Sequence, residues 1–394
     1  PLLTRNGVTR VITDISSWHL SSIINPTEPD VVAFQNGSFI IMGQFSDGIS
    51  YNSQGISYYP VVFNFDPSGN QLPEKTAPLV RRSQAERIFR YRDKGAKLLR
   101  IETANFNQGK YALFYEEDEL GYGIAKDVEF FIGQYQTDGS ISPNGLIDPE
   151  SNSSFPAPIS TWDGGFLVAW QSDTADGSGT GIKVQRYNQN AQAIWESLGP
   201  VNNYLLLDQS NPAIASLNIP IDSNQDGFND PNGFVVAWQS KTQDGSDWGI
   251  YARRYSENNN PLGSEFRVNT TTTFAQANPA VTALKNGGFI VFWESAQQDG
   301  SGLGIYGQRY DALGNRAGTE FRVNTYTTLD QSNVTAKTLS DGSVLVVWQS
   351  QGQDGSDSGI FGRMLDQFGN LLGNEVQING RTGGNQTDPS IAEG

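Results

Sequence analysis

The chain has 394 residues, 37% hydrophobic and 11% aromatic, and carries a net charge of −16. That length exceeds one ordinary core, the aromatic content belongs to a folding chain, and the acidic balance argues against nucleic acid as the main partner. No stretch approaches 18 apolar residues, so no membrane-spanning helix is expected, and with no Cys and one His, His19, there is no disulfide, thiolate nucleophile or Cys/His zinc site.

In chain order, the first strand is "TRVIT", residues 9 to 13, and "SSWHLSS", which holds His19, is a polar connecting loop. The absence of a charged-then-apolar leader before them reads as a signal peptide removed or lying outside this numbering. "GSFIIMGQFS" and "GKYALFYEED" follow as strands. Between them lies one break in composition, "LVRRSQAERIFRYRDKGAKLLR". Its Arg81, Arg82, Arg87, Arg90, Arg92, Lys94, Lys97 and Arg100 face only Glu86 and Asp93. The strip reads as a charged outer strand that discourages edge pairing, or as a docking surface for an acidic polysaccharide or another copy of this chain.

Four segments then align: "GFLVAWQSDTADGSGTGIKVQRY", "GFVVAWQSKTQDGSDWGIYARRY", "GFIVFWESAQQDGSGLGIYGQRY" and "GSVLVVWQSQGQDGSDSGIFGRML". Their tryptophans, Trp170, Trp238, Trp293 and Trp348, are separated by 68, 55 and 55 residues, and Tyr115 and Gly43 hold the same place in two degenerate earlier copies. Each unit holds four apolar runs. Over residues 278 to 325 these are "PAVTAL", "GGFIVFWES", "GIYGQRYD" and "TEFRVNT", joined by Gly-, Asn- and Asp-rich turns. The second run is apolar on both faces, so it is covered on both sides.

Four-stranded sheets repeating at this length predict an all-β chain, a β-propeller of four-stranded blades. A β-sandwich does not explain the period, and a β-solenoid needs shorter repeats. The expected organisation is a single propeller domain over 1–394: an N-terminal strand and loop (1–27), degenerate blades (28–155), regular blades (156–385) and an extra first strand (386–394). There are six copies of the second and third strands. "TRVIT" is a surplus fourth strand and "DPSIAEG" a surplus first strand. The termini therefore share a seventh, split blade, or belong to a longer array, or are completed by a neighbouring molecule.

The enlarged spacing before Trp238 lies between the first strand "PAIASLN" and the second, where "DSNQDGFND" occurs once. Asp222, Asn224 and Asp226 alternate, Gly227 permits a sharp turn, Phe228 offers a carbonyl and Asp230 closes an all-oxygen shell suited to calcium. Position 12 is Gly233 rather than Glu, so this is not a full EF-hand. The loop instead resembles the calcium loops of integrin α-chain and FG-GAP propellers and of thrombospondin type 3 repeats. The recurrent "DGSxxGI" aspartates, Asp176, Asp244, Asp299 and Asp354, read as hairpin-turn residues rather than metal ligands. The repeated tryptophans read as core, and Arg186, Arg254 and Arg309 as braces within the blades. Trp248, at a variable turn tip, is a candidate partner contact.

The whole repeat, "GGFxVxWQS…QDGSxxGIYxQRYDxxGNxxGxEFxVNT", resembles one found in long secreted or surface-exposed bacterial proteins. The resemblance implies a propeller-like module in an extracellular structural or adhesive protein. Taken with the 222–230 loop and the unpaired terminal strands, the reading is a non-enzymatic structural, adhesive or self-assembling module, calcium-stabilised, whose partners are copies of itself or another surface protein. With the recurring acids in turns and no nonrepeating cluster in view, no catalytic residue is assigned. The alternative reading is a lectin, or a glycoside hydrolase or lyase on the same scaffold.

Overall fold

The computed structural model describes, with side chains, residues 153–161, 164–173, 175–188, 192–194, 198–217, 233–380 and 382–391, together with backbone strands in the N-terminal 147 residues and at 392–393. The described residues contain no helix. In the N-terminal part the strands are β1 (Thr9–Ile12), β2 (Ile24–Ala33), β3 (Phe39–Ser50), β4 (Ile56–Phe65), β5 (Lys97–Ile101), β6 (Lys110–Glu117), β7 (Asp127–Tyr135) and β8 (Ile141–Ile147). The regular repeats supply β9 (Ser153–Ser160), β10 (Phe166–Ser172) and β11 (Gly181–Tyr187), then β12 (Gln209–Ser216), β13 (Phe234–Lys241), β14 (Trp248–Tyr255) and β15 (Phe266–Arg267). The next repeat is β16 (Gln276–Ala283), β17 (Phe289–Ala296), β18 (Leu303–Tyr310) and β19 (Phe321–Arg322), followed by β20 (Gln331–Thr338), β21 (Val344–Gln351), β22 (Ser358–Leu365) and β23 (Leu371–Gln377). β24 (Ser390–Glu393) comes last.

Sheets β5–β8, β12–β15, β16–β19 and β20–β23 are four-stranded meanders in sequence order, while β2–β4 and β9–β11 show three strands each. Pairing is antiparallel in the sheets β1–β24, β2–β4, β5–β8, β12–β15, β16–β19 and β20–β23. The fourth strand is shorter than expected: "TEFRVNT" contributes only Phe321–Arg322. "TRVIT" and the C-terminal strand pair with each other, Thr9 opposite Glu393 and Ile12 opposite Ser390.

Two compact units result. One comprises Pro1–Leu2, Ala169–Gln185 and Ser197–Pro389, and the other Leu3–Val168, Arg186–Glu196 and Ser390–Gly394. In the first, β12 packs on β16 and β16 on β20. In the second, β24 packs on β2, β2 on β5 and β5 on β9. First strands thus line up beside first strands, the propeller arrangement of sheets stacked face to face around their inner edges.

Alternation explains why β17 is apolar from Phe289 to Trp293. Phe289, Val291 and Trp293 pack back onto Val235, Ala237 and Ile250 of the preceding sheet. Ile290 and Phe292 point the other way, onto Val344, Val346 and Trp348 of the next. Trp170, Trp238, Trp293 and Trp348 are all fully buried. Within sheets, Phe234 stacks on its cross-strand partner Tyr255 at 5.1 Å and Phe289 on Tyr310 at 4.7 Å, favourable offset ring pairs. The first strands β16 and β20, by contrast, are mostly only half-buried.

Neighbouring sheets of the first unit are also tied by polar braces. Arg254 donates through Nη2 to the Ala312 carbonyl at 2.7 Å and through Nη1 to that of Leu313, both in the third-to-fourth turn of the following sheet. Arg309 repeats this with Asn370 Oδ1 at 2.5 Å. Burial lowers the Arg254 pKa. Glu265, Glu320 and Glu375 each grip the preceding repeat, as when Glu375 accepts from the Thr325 and Tyr326 N–H groups at 2.6 and 3.0 Å.

The turns gripped by the arginines carry a pH prediction. Burial would raise the Asp311 and Asp366 carboxyls. Hydrogen bonds from Asn315 and Leu313 to the first, and from Asn370 and Phe368 to the second, outweigh it and hold both below the ordinary carboxylate value. A depressed folded pKa contributes stability that is present above the unfolded value and lost as pH falls through the folded one. These turns are therefore expected to loosen below about pH 4. Protection of the Asn315 and Asn370 amides against exchange, measured relative to the unfolded chain at the same pH, should fall there in wild type, and Asp311→Asn should remove that change at Asn315.

Candidate functional site

The DGS turns are occupied by their own protein groups. Asp244 Oδ1 accepts from the Ser246 N–H at 3.2 Å and Oδ2 from Asn269 Nδ2 at 3.0 Å. Gly245, at φ 93°, makes the left-handed turn, and a Cβ on Gly249 would lie 2.5 Å from Asp244 Oδ2, which explains both glycines of the motif. The asparagine is the hub: Asn269 Oδ1 accepts from the Ile250 N–H at 2.8 Å, and its Nδ2 also reaches Gln276 Oε1 at 3.1 Å. Asn202, Asn324 and Asn379 repeat the pattern.

A second network runs across the first strands. β12, β16 and β20 each carry a bulge two residues after their Gln, where Asn211, Asn278 and Asn333 take a left-handed φ of 50°, 51° and 52°, and Asp388, two residues before β24, takes the same conformation at 53°. Asn and Asp tolerate this region, and a bulge re-aims the side chain out of the ladder. Asn211 Nδ2 donates to Asn278 Oδ1 at 2.7 Å, and the Asn278 N–H to Gln239 Oε1 at 2.9 Å. Asn278 Nδ2 donates to Glu294 Oε2 at 2.8 Å, and the Asn333 N–H to Glu294 Oε1 at 2.7 Å. Asn333 Nδ2 then donates to Gln349 Oε1 and Asp388 Oδ1, both at 2.8 Å.

Glu294 is the departure in this row. Gln171, Gln239 and Gln349 hold the same place in the other repeats, where an amide oxygen suffices as acceptor. Gln239 also donates through Nε2 to its cross-strand partner Ser210 at 3.0 Å, whereas Glu294 faces Ala277, which has nothing to accept. Glu294 is 3% exposed, and a buried carboxylate is costly where a neutral amide would serve. One residue, Asn333, bridges it to a second acid, Asp388, on a half-buried first-strand edge.

The same end of the first unit presents apolar residues. Leu207, Phe274 and Leu329, each two residues before the first-strand Gln, sit at φ 59°, 63° and 60°, where the last repeat has Gly384. A bulky residue held there costs on the order of 1–3 kcal/mol, a strain that clusters at functional sites. Phe274 is 55% exposed.

Of the residues singled out by sequence, Trp248 opens β14, half-buried, with Lys241 Nζ 5.5 Å from its ring centre. Asp222, Asn224, Asp226, Phe228 and Asp230 lie outside the described residues, as do His19, Arg81, Arg82, Arg87, Arg90, Arg92 and Lys94. Lys97 and Arg100 are described only as backbone of β5. The neck of the 222–230 loop is in place: Leu217 N–H donates to the Gly233 carbonyl at 2.8 Å. Among the described residues no three His, Cys, Asp or Glu side chains group as a metal site.

No protein-family model matches the chain, and a comparison with curated proteins finds no match. Solved structures do share its fold. The α-L-arabinofuranosidase of Fusarium graminearum, solved with arabinobiose, superposes with a TM-score of 0.52 at 10% identity, covering 86% of this chain and 92% of that one. The α-L-arabinanase of Penicillium chrysogenum complexed with arabinobiose gives 0.51 at 14% identity, covering 87% and 92%. A protein of unknown function from Dyadobacter fermentans gives 0.50 at 12%, covering 86% and 94%.

These neighbours correct the expectation of a non-enzymatic structural, adhesive or self-assembling module: the fold is one on which glycoside hydrolases are built. Read from the sequence, the recurring acids lie in turns, whereas Glu294 lies inside a repeated strand. The available signal was one letter, "WES" where the other copies read "WQS".

Proposed function

We propose that this protein acts on polysaccharide, with the glycosidic bond placed beside Glu294 and Asp388. The observation that carries the reading is the pair of carboxylates bridged by Asn333, one of them replacing a structural glutamine. Glycosidic cleavage uses two carboxyl groups about 5 to 9.5 Å apart, one as acid and the other as nucleophile or base, and a single residue, Asn333, hydrogen-bonds to both acids here. The glycoside hydrolases that share the fold add support. The same reading takes the sheets as propeller blades and places the protein outside the cell, where polymeric substrate is found.

Release of reducing ends from debranched arabinan, xylan, mannan and acidic polysaccharides tests the proposal. Turnover of one of them is expected. No turnover and no retention by any of these polymers would overturn it.

The reading includes one calcium ion at Asp222, Asn224, Asp226, Phe228 and Asp230, supported by the all-oxygen donor set and the closed neck of that loop. It would brace the loop locally and takes no part in bond cleavage. Chelation is expected to lower Tm by a few degrees, since a ligand at 100 times its Kd stabilises by about 2.7 kcal/mol. An unchanged Tm and no calorimetric heat on adding calcium to the chelated protein would remove the ion from the account.

A further inference from the structure

We infer that Phe274 and Trp248 form a sugar-stacking subsite next to the carboxylate pair, so that the ligand is an extended chain and not a free sugar or disaccharide. The inference rests on the polysaccharide reading above and specifies how the polymer is held. Phe274 is a large aromatic, 55% exposed, in a left-handed conformation that Gly384 supplies without strain in the last repeat. Ser246 Oγ donates to the Phe274 carbonyl at 3.4 Å, which ties this loop to the hairpin tip that carries Trp248 two residues later. The corresponding residue pairs elsewhere are Thr180 with Leu207, Leu303 with Leu329 and Ser358 with Gly384, so this tip alone among the four regular repeats carries two aromatic rings. Lys241 Nζ lies over one face of Trp248 and adds a hydrogen-bond donor there, leaving the stacking to the other face.

The subsite lies on the segment that leads to the acids. Phe274 is two residues before β16, and Asn278, the third residue of that strand, donates directly to Glu294. Aromatic faces bind the apolar face of a sugar ring while its hydroxyls reach neighbouring amides, a combination of apolar body and placed polar groups typical of ligand sites. A chain threaded from the ring pair to Glu294 would contact both. A ligand of one or two sugars at the acids would contact only the latter.

The test is Phe274→Gly and Trp248→Ser, each importing the residue of the last repeat and so compatible with the fold. Affinity for the polymer that wild type retains is measured by affinity electrophoresis, and kcat/KM on its oligosaccharides of two to eight units by product release. Each variant is expected to bind the polymer at least tenfold more weakly, and to lose kcat/KM only on the longer oligosaccharides. Unchanged polymer affinity, or equal losses at every length, would overturn the subsite while leaving the carboxylate site standing. A wild type that neither retains nor cleaves any polymer would remove both.

Discussion

Glu294→Gln is expected to lower turnover by a factor of about 10²–10⁴, the range for losing an acid–base group, while the fold survives. The physical case for survival is internal to the molecule: three other repeats hold Gln at this place, and Gln171 and Gln239 accept the same kind of hydrogen bond from the next asparagine N–H. The single variant leaves one amide N–H₂ facing Ala277 and is expected to cost about 1 kcal/mol. The double variant Glu294→Gln, Ala277→Ser rebuilds the Gln–Ser pair seen between Gln239 and Ser210, and should recover that stability without recovering turnover. Asp388→Asn, which keeps the size and the left-handed backbone preference, should give a comparable loss. Wild-type turnover in both Glu294→Gln and Asp388→Asn would show that the acids are not the catalytic pair, whatever the protein binds.

Asn324→Ala should destabilise the protein by about 3 kcal/mol or more, because each buried polar group left without its partner costs about 1–3 kcal/mol. The side chain removed is small, but it accepts from the Ile305 N–H at 2.8 Å and donates to Gln331 Oε1 at 3.0 Å, to the Tyr326 carbonyl at 2.8 Å and to Asp299 Oδ2 at 3.3 Å. All of these meet beneath the hairpin tip. Loss on this scale rivals the 3–5 kcal/mol of a Trp→Ala core truncation at Trp293. Chemical denaturation compares the two variants directly. A cost below about 0.5 kcal/mol for Asn324→Ala, within the range of ordinary surface changes, would mean that water replaces the asparagine and that the DGS turn is not held from below.

These two residues mark how differently fold and site could be read. The fold was legible because it is periodic: the apolar run "GGFIVFWES" demanded cover on both faces, and β17 receives it from the sheets before and after. The turn aspartates were legible as turns, since Asp-Gly specifies a left-handed bend by local chemistry alone. Their asparagine partners were not, because Asn269 and Asp244 are distant in sequence and only the antiparallel pairing of the sheet brings them together. The catalytic candidates were hidden for the opposite reason. Glu294 and Asp388 each occupy an ordinary repeat position, and a pattern search discounts what repeats.

By itself, then, the sequence determined an all-β repeat protein with fully buried second strands, turn-rich tips and inter-sheet tryptophans, because alternation and period are properties of the chain taken locally. It also placed the 222–230 loop between a first and a second strand. Only the tertiary structure decided which acids are neighbours. The bulges at Asn278 and Asn333 turn side chains out of two first strands, toward Glu294 and toward the left-handed Asp388, and that convergence depends on how successive sheets lie side by side rather than on any spacing along the chain.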